Sequence, residues 1–134
     1  MVELDIKEGK PGFTFEDLDV WKKARVMRNQ ISKLVNIFPK EEKYRLSDQM
    51  IRASRSVTAN LAEGYGRFHY KENIQFCRQA RGSLFELIDH LTVALDEKYI
   101  NKDEFIFLRA KCYALIKKLN SYIKYLKIQM EKTK

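Results

Sequence analysis

The sequence predicts an all-α protein, a single-domain antiparallel up-down-up-down four-helix bundle. Three observations carry that reading. Apolar residues recur at three- and four-residue spacing in four separate stretches, the period of one helix face. Only five Gly and two Pro punctuate 134 residues, too few for the many turns of an all-β fold. The stretches are joined by short connections, which place successive helices antiparallel. A chain of this length holds one hydrophobic core and not two.

Residues 1–14 read as a flexible N-terminal arm, closed by the turn signal Lys10-Pro11-Gly12-Phe13, and residues 15–134 as the bundle. The first helix spans about 17–38. Asp17 or Asp19 offers its N-cap, and Val20, Ala24, Met27, Ile31, Leu34 and Phe38 form its seam, which Pro39 ends. The second spans about 47–64, with Ser47 as the expected cap and Met50, Ala53, Val57 and Leu61 on one face. Its many small residues (Ala53, Ser54, Ser56, Thr58, Ala59, Ala62) predict a close neighbour, and Gly64-Tyr65-Gly66 is the expected terminator.

The third helix, about 70–97, carries Ile74, Cys77, Arg81, Leu84, Ile88, Leu91 and Leu95, flanked by a second stripe through Ala80, Leu87 and Ala94. Gly82 sits inside it at a cost of roughly 1 kcal/mol relative to Ala. A close helix crossing or a contact between subunits would explain it. The fourth helix, about 102–131, opens on the capping-box pattern Asn101…Glu104. It then runs through the heptad Phe105, Leu108, Cys112, Leu115, Leu119, Tyr122 and Leu126. Further apolar residues lie off the seams: Leu18, Trp21, Val26 and Val35 on the first helix, and Tyr113, Ile116, Ile123 and Ile128 on the fourth. They imply a wide core for about half of them and a subunit interface for the rest.

Composition narrows the function. No apolar run approaches the ~18 residues of a membrane span, so no membrane partner is expected. The N-terminus lacks an apolar signal region, and Cys77 and Cys112 make no disulfide framework, so the expected setting is reduced and cytoplasmic. The histidines, His69 and His90, have no nucleophile partner motif; no phosphate-binding glycine loop occurs, and Glu86, Asp89 and His90 do not have the spacing of a carboxylate-bridged metal site. No catalytic residue, metal or cofactor is predicted, and the chain is read as a non-enzyme.

Charge points elsewhere. The net charge is +8, and residues 109–134 carry eight Lys/Arg against Glu131 alone, which places +7 of it in the last 26 residues. Such a concentration suits a polyanion, although lysines also favour the negative pole of a helix end. Arg45, Arg52 and Arg55 share a face of the second helix. Arg67, His69 and Lys71 interleave with Phe68 and Tyr70 in the following turn, and Arg78 comes next. Together with Lys117, Lys118, Lys124 and Lys127 these are the candidate nucleic-acid contacts. Asn60, Glu63 and Arg81 are read as structural polar residues. A Glu63–Arg81 pair is the expected contact, because an interior Arg requires a partner.

Four blocks in order also resemble one known family. They are Phe15-Glu16-Asp17-Leu18-Asp19-Val20-Trp21-Lys22-Lys23-Ala24, Phe38-Pro39-Lys40-Glu41-Glu42-Lys43-Tyr44, Asn60-Leu61-Ala62-Glu63-Gly64-Tyr65-Gly66-Arg67 and Ala80-Arg81-Gly82-Ser83-Leu84-Phe85-Glu86-Leu87. The stretch 14–125 is similar to the bacterial four-helix bundle proteins encoded in intervening sequences of 23S ribosomal RNA genes. That group includes the accessory variability determinant of diversity-generating retroelements. The resemblance implies a homopentameric barrel of bundles with a basic surface and no catalytic residues. For the retroelement branch it implies binding to nucleic acid and to a reverse transcriptase. The resulting expectation is a homo-oligomeric, non-catalytic bundle that binds RNA or DNA through phosphates, with a protein-interaction scaffold as the alternative.

Overall fold

The computed structural model describes residues 11–133, so the proposed arm lies mostly outside the described residues. Four helices follow in order: α1 (Asp19–Leu34), α2 (Leu46–Gly66), α3 (Tyr70–Asp96) and α4 (Lys102–Lys132). Single 3-10 turns at Phe15–Asp17, Val35–Ile37 and Lys40–Glu42 lead into and out of α1. The helices pack as an antiparallel bundle in which α2 and α3 share the most extensive contact. Of the neighbouring pairs, α1 and α4, the first and last, meet least closely.

Each seam read from the sequence faces the core. Ile31, Met50, Leu84, Leu91, Leu119 and Leu126 are fully or almost fully buried, each stabilising the fold by about 1.5–3 kcal/mol relative to exposure. Of the off-seam residues, Leu18, Trp21, Val35, Ile116 and Ile123 join that core, whereas Val26, Tyr113 and Ile128 remain exposed. A broad buried face on both α1 and α4 takes in the first group, and of the second Tyr113 packs against Phe85 at 6.0 Å.

Local chemistry explains where the elements end. α1 loses regular geometry before Pro39, tightening into a 3-10 turn, and Phe38 adopts the extended conformation that a following proline imposes. Ser47 is not the cap of α2. The helix begins at Leu46 with Arg45 at the N-cap position, Ser47 is buried, and the Leu46 amide donates to Glu42 Oε1 at 3.4 Å instead. The other oxygen of that carboxylate accepts from the Tyr99 hydroxyl at 2.6 Å, tying the α3–α4 connection to the α1–α2 connection.

Gly64-Tyr65-Gly66 is not a glycine-capped terminus. α2 continues through Gly66, and the left-handed conformation falls on Phe68, at φ 57°. Gly64 has a different role. A Cβ there would stand 2.7 Å from Asn73 Oδ1 and 2.8 Å from Phe76 Cβ, so the missing side chain is what lets α2 and α3 approach. The close crossing expected at Gly82 does not occur within the chain, since a Cβ at that position would meet nothing within 4 Å among the described residues. α3 ends in a Schellman motif with Lys98 left-handed at φ 63°, the Tyr99 amide reaching Ala94 O at 2.9 Å. α4 opens on the predicted capping box, Asn101 Oδ1 accepting from the Glu104 amide and Glu104 Oε1 from the Asn101 amide.

Two predictions follow from these contacts. Gly64→Ala lowers the urea midpoint, because overpacking of about 1–3 kcal/mol outweighs a helix-propensity gain of roughly 1 kcal/mol; Gly82→Ala does not lower it. The hydrogen bond to the Glu42 carboxylate holds the Tyr99 hydroxyl protonated and pushes its pKa up to about 12. In an ultraviolet titration Glu42→Gln returns this tyrosine toward the ordinary value of 10.0.

Candidate nucleic-acid interface

The candidate cations divide by what holds them. Arg52 is bound to Asp48 at 2.8 Å on the outer face of α2. Arg67 pairs with Glu63 at 2.9 Å, lies 3.9 Å from Glu72 and sits over the Phe76 ring at 5.2 Å. It therefore clamps the α2–α3 turn, with its charge compensated on both sides. Lys118 reaches Asp19 at 2.8 Å and pins α4 to the start of α1. Each of these three has a carboxylate contact within 3 Å.

The expected Glu63–Arg81 pair does not form. Glu63 turns outward to Arg67, four residues along its own helix, while Arg81 is only half-buried and its Nη1 donates to Asn120 Oδ1 at 2.8 Å. A neutral amide orients that guanidinium without neutralising it. Asn60 acts locally: its amide donates to Ser56 O and Ser56 Oγ, both at 2.9 Å, and Ser56 Oγ lies 2.9 Å from Ser83 Oγ on α3.

The Arg81–Asn120 contact, with the buried Asn73 amide donating to the Tyr122 hydroxyl at 3.3 Å, sets the register of α3 against α4. Arg78 is one turn before Arg81, and Lys71 is seven residues before Arg78. On the facing helix, Lys117 and Lys124 are seven residues apart, with Lys127 one turn further on. Antiparallel packing therefore brings Lys71, Arg78, Arg81, Lys117, Lys124 and Lys127 to one half of the α3/α4 side. All but half-buried Arg81 are exposed, and among the described residues none of the six has a carboxylate partner.

Among the described residues Arg45 and Arg55 also lack a carboxylate partner. They lie with Arg52 on the outside of α2, and Arg45 is at the opposite end of that helix from Arg67. The structure thus separates the α2 arginines from the α3/α4 cluster. His69 occupies the N-cap position of α3 but makes no capping bond, and it is exposed. Phe68 is 84% exposed, its ring tilted beside Tyr65 at 6.3 Å, so it does not fold back into the core. Tyr70 is half-buried against the bundle.

The sequence reading missed Asn73 and Asn120, which orient the α3/α4 pair. Asn73 was detectable as a polar residue one turn before the Cys77 seam position. Asn120 carried no signal, because an exposed amide on a long helix is unremarkable until its partner is known. Among the described residues no group of three or more His, Cys, Asp and Glu side chains could hold a metal ion, and no helix is long and apolar enough to cross a membrane. His90 rests on Glu86 at 3.0 Å, an ordinary contact one turn apart. Both cysteines are buried, and burial pushes the Cys112 thiol up to about 12.

These features define the class: a single-domain all-α four-helix bundle. The chain belongs to the 23S rRNA-intervening sequence protein family, whose model matches residues 16–121. It is also similar to the crystal structure of a protein of unknown function from the S23 ribosomal protein family of Bacteroides thetaiotaomicron. The TM-score is 0.72 and the identity 23%, over 78% of this chain and 95% of that one, a likeness of fold. No curated protein matches the chain.

A buried thiol with a raised pKa has almost no thiolate near neutrality. At pH 8 Cys112 therefore resists iodoacetamide in the folded protein and is alkylated in denaturing urea, as peptide mass spectrometry would read directly.

Proposed function

We propose that this protein is a non-catalytic, self-associating bundle that binds RNA or DNA through phosphate contacts. One observation carries the reading: six cations from two neighbouring helices share one half of the bundle, and no described carboxylate pairs with them. Elsewhere the fold pairs several of its cations, at Asp48–Arg52, Glu63–Arg67 and Asp19–Lys118. Unpaired like charges held together are repelled by one another and relieved by a polyanion. Flexible lysines on helix faces, with no loop or strand to enter a groove, suit phosphate positioning and not base readout. Repetition of this face in an oligomer multiplies weak contacts into avidity.

A partnership with a reverse transcriptase, which the retroelement resemblance implies, adds a protein to the same reading; co-purification of such an enzyme with the tagged chain would support it. A second reading, a protein-interaction scaffold, is favoured by the exposed side chains of Val26, Ile37 and Phe107.

The test is equilibrium binding of nuclease-treated protein to a structured RNA and a DNA duplex across a salt series. The wild-type protein binds with a steep negative dependence on salt. The triple variant Arg78→Ala/Lys124→Ala/Lys127→Ala loses roughly ten-fold or more in affinity at low salt and about one unit of log–log slope per phosphate contact removed. Arg52→Ala/Arg55→Ala has a smaller effect, since Arg52 is already held by Asp48. Absence of binding by the wild-type protein at low salt would overturn the reading in favour of the scaffold.

A further inference from the structure

The α2–α3 connection puts a bulky side chain where glycine is the usual residue. Phe68 is left-handed, with φ 57°, at the position that follows the C-cap of α2. The Arg67 and Phe68 amides close the helix end on Gly64 O and Tyr65 O, both at 3.3 Å. That reversal needs the conformation but not the ring, because glycine adopts it without the steric strain a Cβ brings. Nor does the ring gain much inside the chain. It is exposed, and its ring contact among the described residues is a tilted approach to Tyr65 at 6.3 Å.

The residues around it are anchored. Arg67 is held by Glu63 at 2.9 Å and lies over the Phe76 ring, and the Tyr65 hydroxyl donates to Phe13 O at 3.3 Å. Tyr65 and Tyr70 are both half-buried against the bundle, so of the three aromatic residues in this stretch Phe68 alone presents an open face.

Basic side chains adjoin that face. Exposed His69 is next in the chain, and exposed Lys71 is three residues on. The Asn73–Tyr122 hydrogen bond fixes the level of α4 against the start of α3. Because the two helices are antiparallel, Lys124 and Lys127 lie beyond that level, toward the end of the bundle that carries Phe68. Arg78 is about 10 Å further along α3 from Lys71, at 1.5 Å per residue. Ring and cations therefore belong to one continuous surface.

A lone ring is too small for a stable protein interface, which buries more than about 1,000 Å². It is also too small to hold a protein on a bilayer. It does match the face of one nucleobase. We propose that Phe68 is a stacking platform for an unpaired base, so that the phosphate-binding surface takes single-stranded nucleic acid in preference to a duplex. This deepens the phosphate reading and rests on it: cations hold the strand's backbone while the ring takes a base turned out from it. In a duplex the base faces are already covered by their neighbours. Stacking accepts any base, so it selects for strandedness and not for sequence.

Equilibrium binding at low salt with nuclease-treated protein tests it on three probes: an unstructured oligoadenylate, an RNA duplex with the same number of phosphates, and inorganic polyphosphate, which has charge but no base. Wild type prefers the single strand to the duplex. Phe68→Gly weakens single-strand binding about ten-fold or more and leaves polyphosphate binding unchanged. It does not lower the urea midpoint, since glycine suits the turn. Phe68→Trp keeps single-strand binding, whereas Phe68→Leu, apolar but without an aromatic face, loses it as glycine does. Wild type that binds the duplex as tightly as the single strand overturns the stacking role and leaves the phosphate reading in place. So does single-strand binding of wild-type strength in Phe68→Gly or Phe68→Leu, or an equal loss of polyphosphate binding in Phe68→Gly. Phe68-dependent capture on anionic phospholipid vesicles, with RNA binding unaffected, overturns it in favour of a membrane contact. Wild type that binds none of the three probes overturns both readings together.

Discussion

The close approach of α2 and α3 is the constraint on which the remaining geometry depends. Gly64 admits Asn73 and Phe76 at a separation that no side chain would allow, and Ser56, Asn60 and Ser83 continue the contact in small polar groups. With α3 held this way, Asn73 reaches Tyr122 and Arg81 reaches Asn120, so the α2–α3 contact passes its register on to α4. A slip of one turn along α3 would separate Arg78 from the lysines of α4. The cationic surface is therefore a product of packing between uncharged residues.

Charge on α3 changes sign along its length. Lys71, Arg78 and Arg81 occupy the first half, and Glu86, Asp89, Asp96 and the adjoining Glu97 follow. The basic half joins Lys117, Lys124 and Lys127 of α4 on one side of the bundle, and the acidic half continues along the same helix. Glu72 beside Lys71 and Glu131 one turn from Lys127 are the carboxylates nearest the basic end in sequence.

The positions that carry the core were legible in the sequence because helical period and apolarity are local properties. Val20, Ala24, Met27 and Ile31, or Leu108, Cys112, Leu115 and Leu119, declare their face within four turns. The Asn101–Glu104 cap was equally local. The roles of Gly64, Glu42 and Arg81 were not. Gly64 looks like a terminator until a neighbouring helix is placed against it. Glu42 caps α2 from outside the helix while holding Tyr99, 57 residues away. Arg81 looks like an interior charge needing Glu63 until α4 supplies Asn120.

The same division applies to the surface. Which residues are charged, and that +7 of the net charge falls in the last 26, is written in the chain itself. So is the sorting of residues into buried and exposed faces, because both follow from side-chain chemistry repeated at a fixed helical period. Which cations are paired is settled locally for Arg52 and Arg67, each four residues from its carboxylate, and by tertiary structure for Lys118. Arg52, Arg67 and Lys118 are cancelled by neighbours, while Lys124, Lys127 and Arg78 are not, and that outcome depends on distances of a few ångströms between side chains. Lys118 and Asp19 are 99 positions apart, and only the packing of α1 against α4 brings their charges within 2.8 Å.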